Sequence, residues 1–269
     1  MKAINLEVSA YMKSTVIAAI ILFGGLGLGS AMAANNKNID RDANKILRNM
    51  SKYLASLPKF SMNADVDTEV VTTSGQKLQV SSYAKMVIDR SGKFYFHRQG
   101  MLANVALFYD GKTLTVHGKK KNVYTQVKLT GKLDSAIRDV EVMLGLNAPG
   151  ADLLFSDVYA VLSQDIVNGR YMGTTTINGI KCHHLAFRKD KIDWQLWIKT
   201  GKEPLPIKYV ITSKWITAAP QYVLRLSNWN TNPTVDAAQY QFKASKGATK
   251  VKSMPTNQMG EIVLTKGGK

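Results

Sequence analysis

Met62-Asn63-Ala64-Asp65-Val66-Asp67-Thr68-Glu69 alternates residue by residue between side chains that suit a core and side chains that suit water. A period of two is the signature of a half-buried strand, because successive side chains leave a strand on opposite faces. Thr72 to Lys77, with Gly75, then makes a turn, and Leu78, Val80, Ser82, Ala84, Met86 and Ile88 give the same period on the way back. The stretch is therefore a long β-hairpin. The carboxylates Asp65, Asp67 and Glu69 share one face, opposite Met62, Ala64 and Val66, and read as a solvated outer surface. A glycosidase would need carboxylates flanking its substrate from two sides, which one strand face does not offer. A calcium site is the other use that such a row could have.

Reading outward, Ser91-Gly92-Lys93 turns the chain into Phe94-Tyr95-Phe96-His97. Val105 to Tyr109, the turn Asp110-Gly111-Lys112, Thr113 to His117, and Val123 to Val127 complete a meander of six strands. Before the hairpin, Ile46, Leu47, Met50, Tyr53, Leu54 and Leu57 recur at helical spacing within Ile39 to Leu57, with Asp40 as the N-cap and Pro58 as the stop. After the meander, Leu133, Ile137, Val140, Met143 and Leu144 mark a helix over Leu133 to Leu146. Gly145 to Gly150 interrupts it, and a second helical stretch spans Ala151 to Leu162. Strand signals resume at Arg170 to Ile177, Lys181 to Arg188, Asp193 to Lys199, Pro206 to Trp215 and Gln221 to Trp229. This order contains no βαβ alternation. The expected fold is mainly β (α+β): about eleven antiparallel strands in a strongly curved half-barrel, with an N-terminal helix and a mid-chain helical lid.

The N-terminus reads as a secretory signal peptide over residues 1–33. An apolar run from Thr15 to Gly29 follows Lys13 and ends in Ala31-Met32-Ala33, the small-x-small spacing of a cleavage site. The run is short for a membrane span and is broken by Gly24, Gly25, Gly27 and Gly29. Met12-Lys13 is the more natural start of such a leader. Residues 34–269 are then expected to form one periplasmic domain, soluble and monomeric, large enough to bury a core without disulfides. The only cysteine is Cys182. Loss of residues 1–33 removes Lys2, Lys13 and Glu7 and takes the net charge from +17 to +16. Outside the cytoplasm such a surface favours anionic lipid head groups, lipopolysaccharide or acidic glycans over nucleic acid, and transient contact with a membrane surface is expected. A scattered charge that only maintains solubility is the alternative.

Enzyme signatures are missing from the sequence: there is no His-Glu-x-x-His, no Gly-x-Ser-x-Gly, no phosphate loop and no paired-cysteine motif. Neither catalytic residues nor a cofactor are expected. Cys182 and His184 share a strand face and are half of a metal site, to which His117 could be added, but a lone Cys and His on a strand read first as packing residues. The aromatic residues say more. Phe94, Phe96, Tyr109, Trp194, Tyr209 and Trp215 fall on strands beside Leu196, Ile198, Ile207 and Ile211, which makes a continuous apolar surface that is either core or ligand cavity. Trp197 and Trp229 have the opposite phase and are expected against a helix or the C-terminal segment. Met50, Met143 and Leu144 are expected on helices over the mouth of the cavity.

Arg90-Ser-Gly-Lys-Phe94, Tyr109-Asp-Gly-Lys-Thr113, Val116 to Tyr124 and Pro204-Leu-Pro-Ile-Lys-Tyr209, in this element order, resemble the LolA and LolB superfamily of periplasmic lipoprotein carriers. Ala151-Asp-Leu-Leu, Asp157-Val-Tyr159, Gly179 to Phe187, Asp193-Trp-Gln-Leu-Trp197 and Tyr209 to Lys214 resemble more closely an uncharacterised family of predicted periplasmic proteins, over nearly the whole mature chain. The resemblance implies an incomplete barrel with helices across its mouth and an apolar cavity that in the carriers holds acyl chains. The lipidated cysteine of the outer-membrane receptor has no counterpart here. Arg90 and Arg98 lie in the neighbourhood of the carriers' cavity-loop arginine. The expected ligand is a lipid, a lipoprotein acyl chain or another hydrophobic molecule. The cavity candidates are Phe94, Phe96, Tyr109, Trp194, Leu196, Tyr209, Ile211, Trp215, Met143 and Leu144, with Arg90 and Arg98 at the rim for an anionic head group. The rival expectation is an envelope-sensing or protein-interaction module whose interior is filled.

Overall fold

A computed structural model describes residues 38–101, 103–129, 131–144 and 149–254, without the side chains of Met143 and Leu144. The signal-peptide reading, with its cleavage after Ala33, lies outside the described residues. Helix α1 (Arg41–Ser56) precedes strands β1 (Lys59–Val71), β2 (Lys77–Asp89), β3 (Lys93–Gly100), β4 (Asn104–Tyr109), β5 (Thr113–Gly118) and β6 (Val123–Lys128). Helix α2 (Leu133–Leu144), a 3₁₀ turn (Ala151–Leu154) and helix α3 (Val158–Ser163) follow. The chain then forms β7 (Asn168–Ile177), β8 (Ile180–Arg188), β9 (Ile192–Lys199), β10 (Pro206–Ser213), β11 (Gln221–Asn230), a 3₁₀ turn (Ala237–Tyr240) and the two-residue β12 (Thr249–Lys250).

All twelve strands belong to one curved sheet in the order β12-β6-β5-β4-β3-β2-β1-β11-β10-β9-β8-β7. Two meanders, β1–β6 and β7–β11, are fused where β1 pairs antiparallel with β11, Asp65 opposite Arg225 and Val66 opposite Leu224. The strand that the alternation does not announce is β12, which pairs parallel with β6 through Thr249 and Lys250. The expected stretch Ala151 to Leu162 is split, because Asp157 caps α3 by accepting from the Ala160 amide at 2.9 Å. Asp40 stands at the N-cap position of α1, but its side chain caps no helical amide and instead accepts from the Tyr171 amide at 3.0 Å, tying the helix start to β7. Trp215 lies beyond the end of β10, in the hairpin to β11.

The buried cluster lies on the concave face, beneath α1, α2, the first 3₁₀ turn and α3. Helix α1 contributes Ala43, Leu47, Met50 and Leu54, each fully buried, which is the stripe that its periodicity announces. Tyr159 fixes α3 to α1: its amide donates to Ser51 Oγ at 2.8 Å, its hydroxyl donates to Asn44 Oδ1 at 2.8 Å, and Arg48 lies over its ring. Asp134 ties α2 to the segment before α3 by accepting from the Ser156 amide and hydroxyl. Arg90 joins all of this to the sheet. Its guanidinium donates to Leu54 O at 3.0 and 3.2 Å, to Leu154 O at 3.3 Å and to Phe155 O at 3.4 Å, and lies over the Phe60 ring. The last turn of α1 has no basic residue of its own, so Arg90 supplies the cation that the helix C-terminus favours.

Two of the outer-face carboxylates, Asp67 and Glu69, prove to be staples between strands. Asp67 accepts from Ser81 on β2 and from Arg225 on β11, both at 2.6 Å, so one side chain spans three strands at the seam. Glu69 pairs with Lys77 and accepts from the Gln221 amide. Burial alone would raise the Asp67 carboxyl, but hydrogen bonds from Ser81 and Arg225 and the Arg225 charge outweigh it and hold it below the ordinary 3.8. A depressed folded pKa contributes stability that is present above the unfolded value and is lost as pH falls through the folded one. Asp67→Asn is therefore expected to cost about 1 kcal/mol at neutral pH, the exposed Arg225 partner being screened. It should also flatten the loss of stability below about pH 4 in urea titrations taken across the acid range. Arg90→Met removes the guanidinium from the Leu154 and Phe155 carbonyls and leaves Leu54 O with only the 3.4 Å bond from the Leu57 amide, and is expected to cost about 2–4 kcal/mol by the same measurement. Arg90→Lys recovers little of it, because a compact ammonium lacks the planar five-donor fork whose Nε, Nη1 and Nη2 reach both segments.

Candidate ligand cavity

Register explains where the concave face is filled and where it is hollow. Across the seam, Val66, Leu224, Tyr209, Leu196 and Leu185 form one row, and Thr68, Tyr222, Ile211, Trp194 and Phe187 form the next. On β8–β10 these rows are closely packed: Trp194 stacks on Phe187 with centroids 4.1 Å apart and meets the edge of Tyr209. Trp194, Leu196 and Tyr209 are each no more than 2% exposed, within the same buried cluster as α1. Tyr209 points its hydroxyl at Asp152 Oδ2, 3.5 Å away, and burial with the neighbouring carboxylate pushes its pKa well up. This half of the interior is core.

The other half is not. Between β1–β4, β11, α2 and the 3₁₀ turn lies a cavity of about 170 Å³, roomy beside the 10–15 Å³ that one water needs. Its floor is low because Ala64 and Ala84 face each other across β1 and β2, where the next row has Met62 opposite Met86. Phe94, Phe96 and Leu107 form one wall, Leu224 and Leu226 another, and Ile137, Val140 and Leu153 close it from the helical side. Gly150 at the cover has φ +95°, and a Cβ there would sit 2.8 Å from Leu224 Cδ2, so only glycine brings this turn down onto β11.

One corner is polar. Arg98 stands in the row of Ala64 and Ala84 and donates through Nε to Ser82 Oγ at 2.9 Å. Tyr222 lines the cavity beside it; burial pushes the phenol up to about 12, against the pull of the Arg98 charge, so the hydroxyl remains a neutral donor. Glu141 on α2 also borders the cavity. A largely apolar body with one polar corner suits an amphiphile.

The structure distributes the sequence candidates unevenly. Phe94, Phe96 and Arg98 line the cavity. Tyr109 packs behind Phe94, with centroids 5.3 Å apart, and is fully buried. Trp194, Leu196 and Tyr209 belong to the filled half, and Ile211 packs against it. Trp215 is 40% exposed in its hairpin. Arg90 is engaged in the clamp described above and does not line the cavity. Met143 and Leu144 end α2, and their side chains lie outside the described ones. Ala64, Ala84, Tyr222, Leu224 and Gly150 are cavity residues that the aromatic stripe did not single out. A small-residue pair facing across a hairpin was the available signal.

On the convex side, Cys182 is buried with Trp197, Ile207 and Val210 and donates to Ile180 O. His184 stacks on Trp197 with centroids 4.2 Å apart and bonds Gln195. Trp229 reaches Phe60 and donates to Pro206 O. Among the described residues, no group of three or more His, Cys, Asp or Glu side chains is placed to hold a metal ion.

The family described as predicted periplasmic protein, DUF2092, matches residues 43–253. An uncharacterized protein of Methanocaldococcus jannaschii is 27% identical over 167 residues, which are 61% of this chain and 41% of that protein, so the match spans less than half of the relative. Among solved structures, LprF from Mycobacterium bovis aligns with TM-score 0.46 at 16% identity, over 74% of this chain and 98% of that one. A LolA superfamily protein from Nitrosomonas europaea aligns with TM-score 0.34 at 11% identity, over 74% of this chain and 97% of that one. These are likenesses of fold alone.

Proposed function

The chain belongs to the DUF2092 family of predicted periplasmic proteins, and from that premise we propose that it is an exported, non-enzymatic, monomeric binding protein. Its signal peptide is removed near Ala33, and residues 34–269 form one half-barrel domain. The ligand is a lipid or lipoprotein acyl chain, held in the hollow between β1–β4, β11 and α2, with Arg98 meeting an anionic head group. The observation that carries this reading is the cavity itself. About 170 Å³ of space, apolar except at one corner, is kept open by an alanine pair in a sheet whose other half is packed solid. Left empty, a void of this size costs about 4 kcal/mol at roughly 24 cal/mol per Å³. An acyl chain fills it and gains about 0.8 kcal/mol for each methylene removed from water, so affinity rises with chain length.

The test is native mass spectrometry of the mature chain, gently purified from its own envelope, with lipid extraction of the same sample. The expected result is a stoichiometric lipid or acylated molecule. Ala84→Leu, which fills the floor at a stability change of about 1–3 kcal/mol, should abolish its retention while the thermal unfolding transition remains cooperative. Arg98→Gln should keep apolar ligands but lose about ten- to a hundredfold in affinity for an anionic fatty acid, the share of a charge-assisted hydrogen bond. A protein that purifies empty and ignores added fluorescent fatty acids defeats the reading and favours an interaction module.

A further inference from the structure

The net positive charge is not spread evenly over the molecule. Residues 91–109, 111–133 and 237–254 contain no Asp or Glu, and the structure brings parts of all three together at one end of the β3–β6 meander. The β5–β6 turn carries Lys119, Lys120 and Lys121, all exposed. Lys120 donates from Nζ to Met101 O in the β3–β4 turn, and the Lys119 amide donates to Asn104 O. Asn122 binds the C-terminal segment in three ways: Nδ2 donates to Lys246 O at 3.3 Å, Oδ1 accepts from Ser245 Oγ at 3.0 Å, and its carbonyl accepts from the Thr249 amide at 3.0 Å. Lys246 and Lys250 are exposed there too. The carboxylates nearest in sequence to this meander, Asp89 and Asp110, lie at its opposite end, where β2 turns into β3 and β4 into β5.

A second feature lies within the same patch. Met101 is 69% exposed, and the hydrogen bond from Lys120 to its carbonyl holds the turn against the lysine cluster. An exposed thioether on a hairpin tip, whose backbone carbonyl accepts from the Lys120 ammonium, matches the layering of a bilayer surface, with phosphates outside and acyl chains just beneath. We propose that this end of the meander is a docking surface for phosphate-bearing lipid bilayers: Lys119, Lys120 and Lys246 meet the head groups while Met101 enters the acyl boundary. A nucleic acid or an acidic glycan would use the lysines and leave the methionine without a role. Arg98 and Tyr222 stand at the end of the cavity toward the hairpin tips, because β1 runs toward its turn with β2 from Phe60 through Ala64 to Thr68. Docking therefore turns the polar corner of the cavity toward the membrane.

The test is co-sedimentation of the mature chain with phosphatidylcholine vesicles made with and without phosphatidylglycerol. Binding is expected only with the anionic lipid and should fall as salt is raised. The triple variant K119Q/K120Q/K246Q should bind about a hundredfold more weakly, at about fivefold for each lysine near the surface. M101S should bind about tenfold more weakly with its charge unchanged. A control triple of equal charge loss on α1 and the β9–β10 loop, K45Q/K52Q/K202Q, should bind as the parent does. Equal binding to uncharged vesicles, or an equal loss in the control triple, overturns the docking surface, as does an M101S variant that binds like the parent. The Ala84→Leu variant separates this proposal from the cavity: it should dock normally even though its cavity is filled.

Discussion

The structure depends on one pairing between distant parts of the chain, β1 with β11. Each meander assembles from neighbouring hairpins, but the concave face exists only when Ala64 and Val66 lie beside Leu226 and Leu224. The entropy of closing such a loop grows only with the logarithm of its length. A modest set of contacts therefore suffices to hold the seam: apolar rows on the inner face, and Asp67, Ser81 and Arg225 on the outer one. Placing β1 at the centre of the sheet has a further effect. Its inner residues form the floor on which the cavity stands, so the strand that unites the fold also sets how deep the hollow is.

Depth alone would not keep a hollow open, since protein interiors pack densely and a loose cover would settle into the space. Here the cover is tethered. Arg90 holds the end of α1 and the turn before α3 at a set height above β2, and Asp134 holds α2 to Ser156. Gly150 then makes a close approach to the wall. The filled half lacks an alanine pair, and Trp194, Phe187 and Tyr209 take up the volume under α1. The hollow and the packed half thus share a covering layer and differ in the size of the side chains beneath it.

Most of the fold was legible because period-two alternation is clear in the long hairpin β1–β2 and because turns such as Ser91-Gly92, Asp110-Gly111 and Asn178-Gly179 punctuate the chain. What was not legible follows from the same physics. β12 is two residues long and parallel, too short to show a period. Periodicity reports which face of a strand a residue occupies and says nothing about what covers that face, so Phe94 on the cavity wall and Trp194 in the core look alike in sequence. The arginines could have been told apart. Arg98 keeps step with Phe94 and Phe96 and so points inward, whereas Arg90 follows Asp89 out of β2 into the turn. The motifs that carried the family resemblance have structural roles here. Asp157 caps α3, Tyr159 fixes it to α1, and Asp193 pairs with Arg188 and Lys214.

On the proposed reading, an apolar cavity turned toward a bilayer raises a question of energetics that methylene counting alone does not answer. A chain taken from water gains about 0.8 kcal/mol per methylene on entering the cavity, but it gains nearly the same on entering a membrane. For exchange between the two, the methylene contributions cancel, and the balance falls to the terms that differ. One is the void itself, whose filling recovers contacts that the walls otherwise lack. The other is the polar corner, where Arg98 and Tyr222 offer a charged and a neutral donor in place of the hydration that a head group has at the bilayer surface. A near-balanced exchange lets a ligand be taken up and given back without an energy source, which is the property a carrier needs and a storage protein does not. For the proposed carrier, the size of the hollow and the chemistry of one corner would then decide which amphiphiles are exchanged.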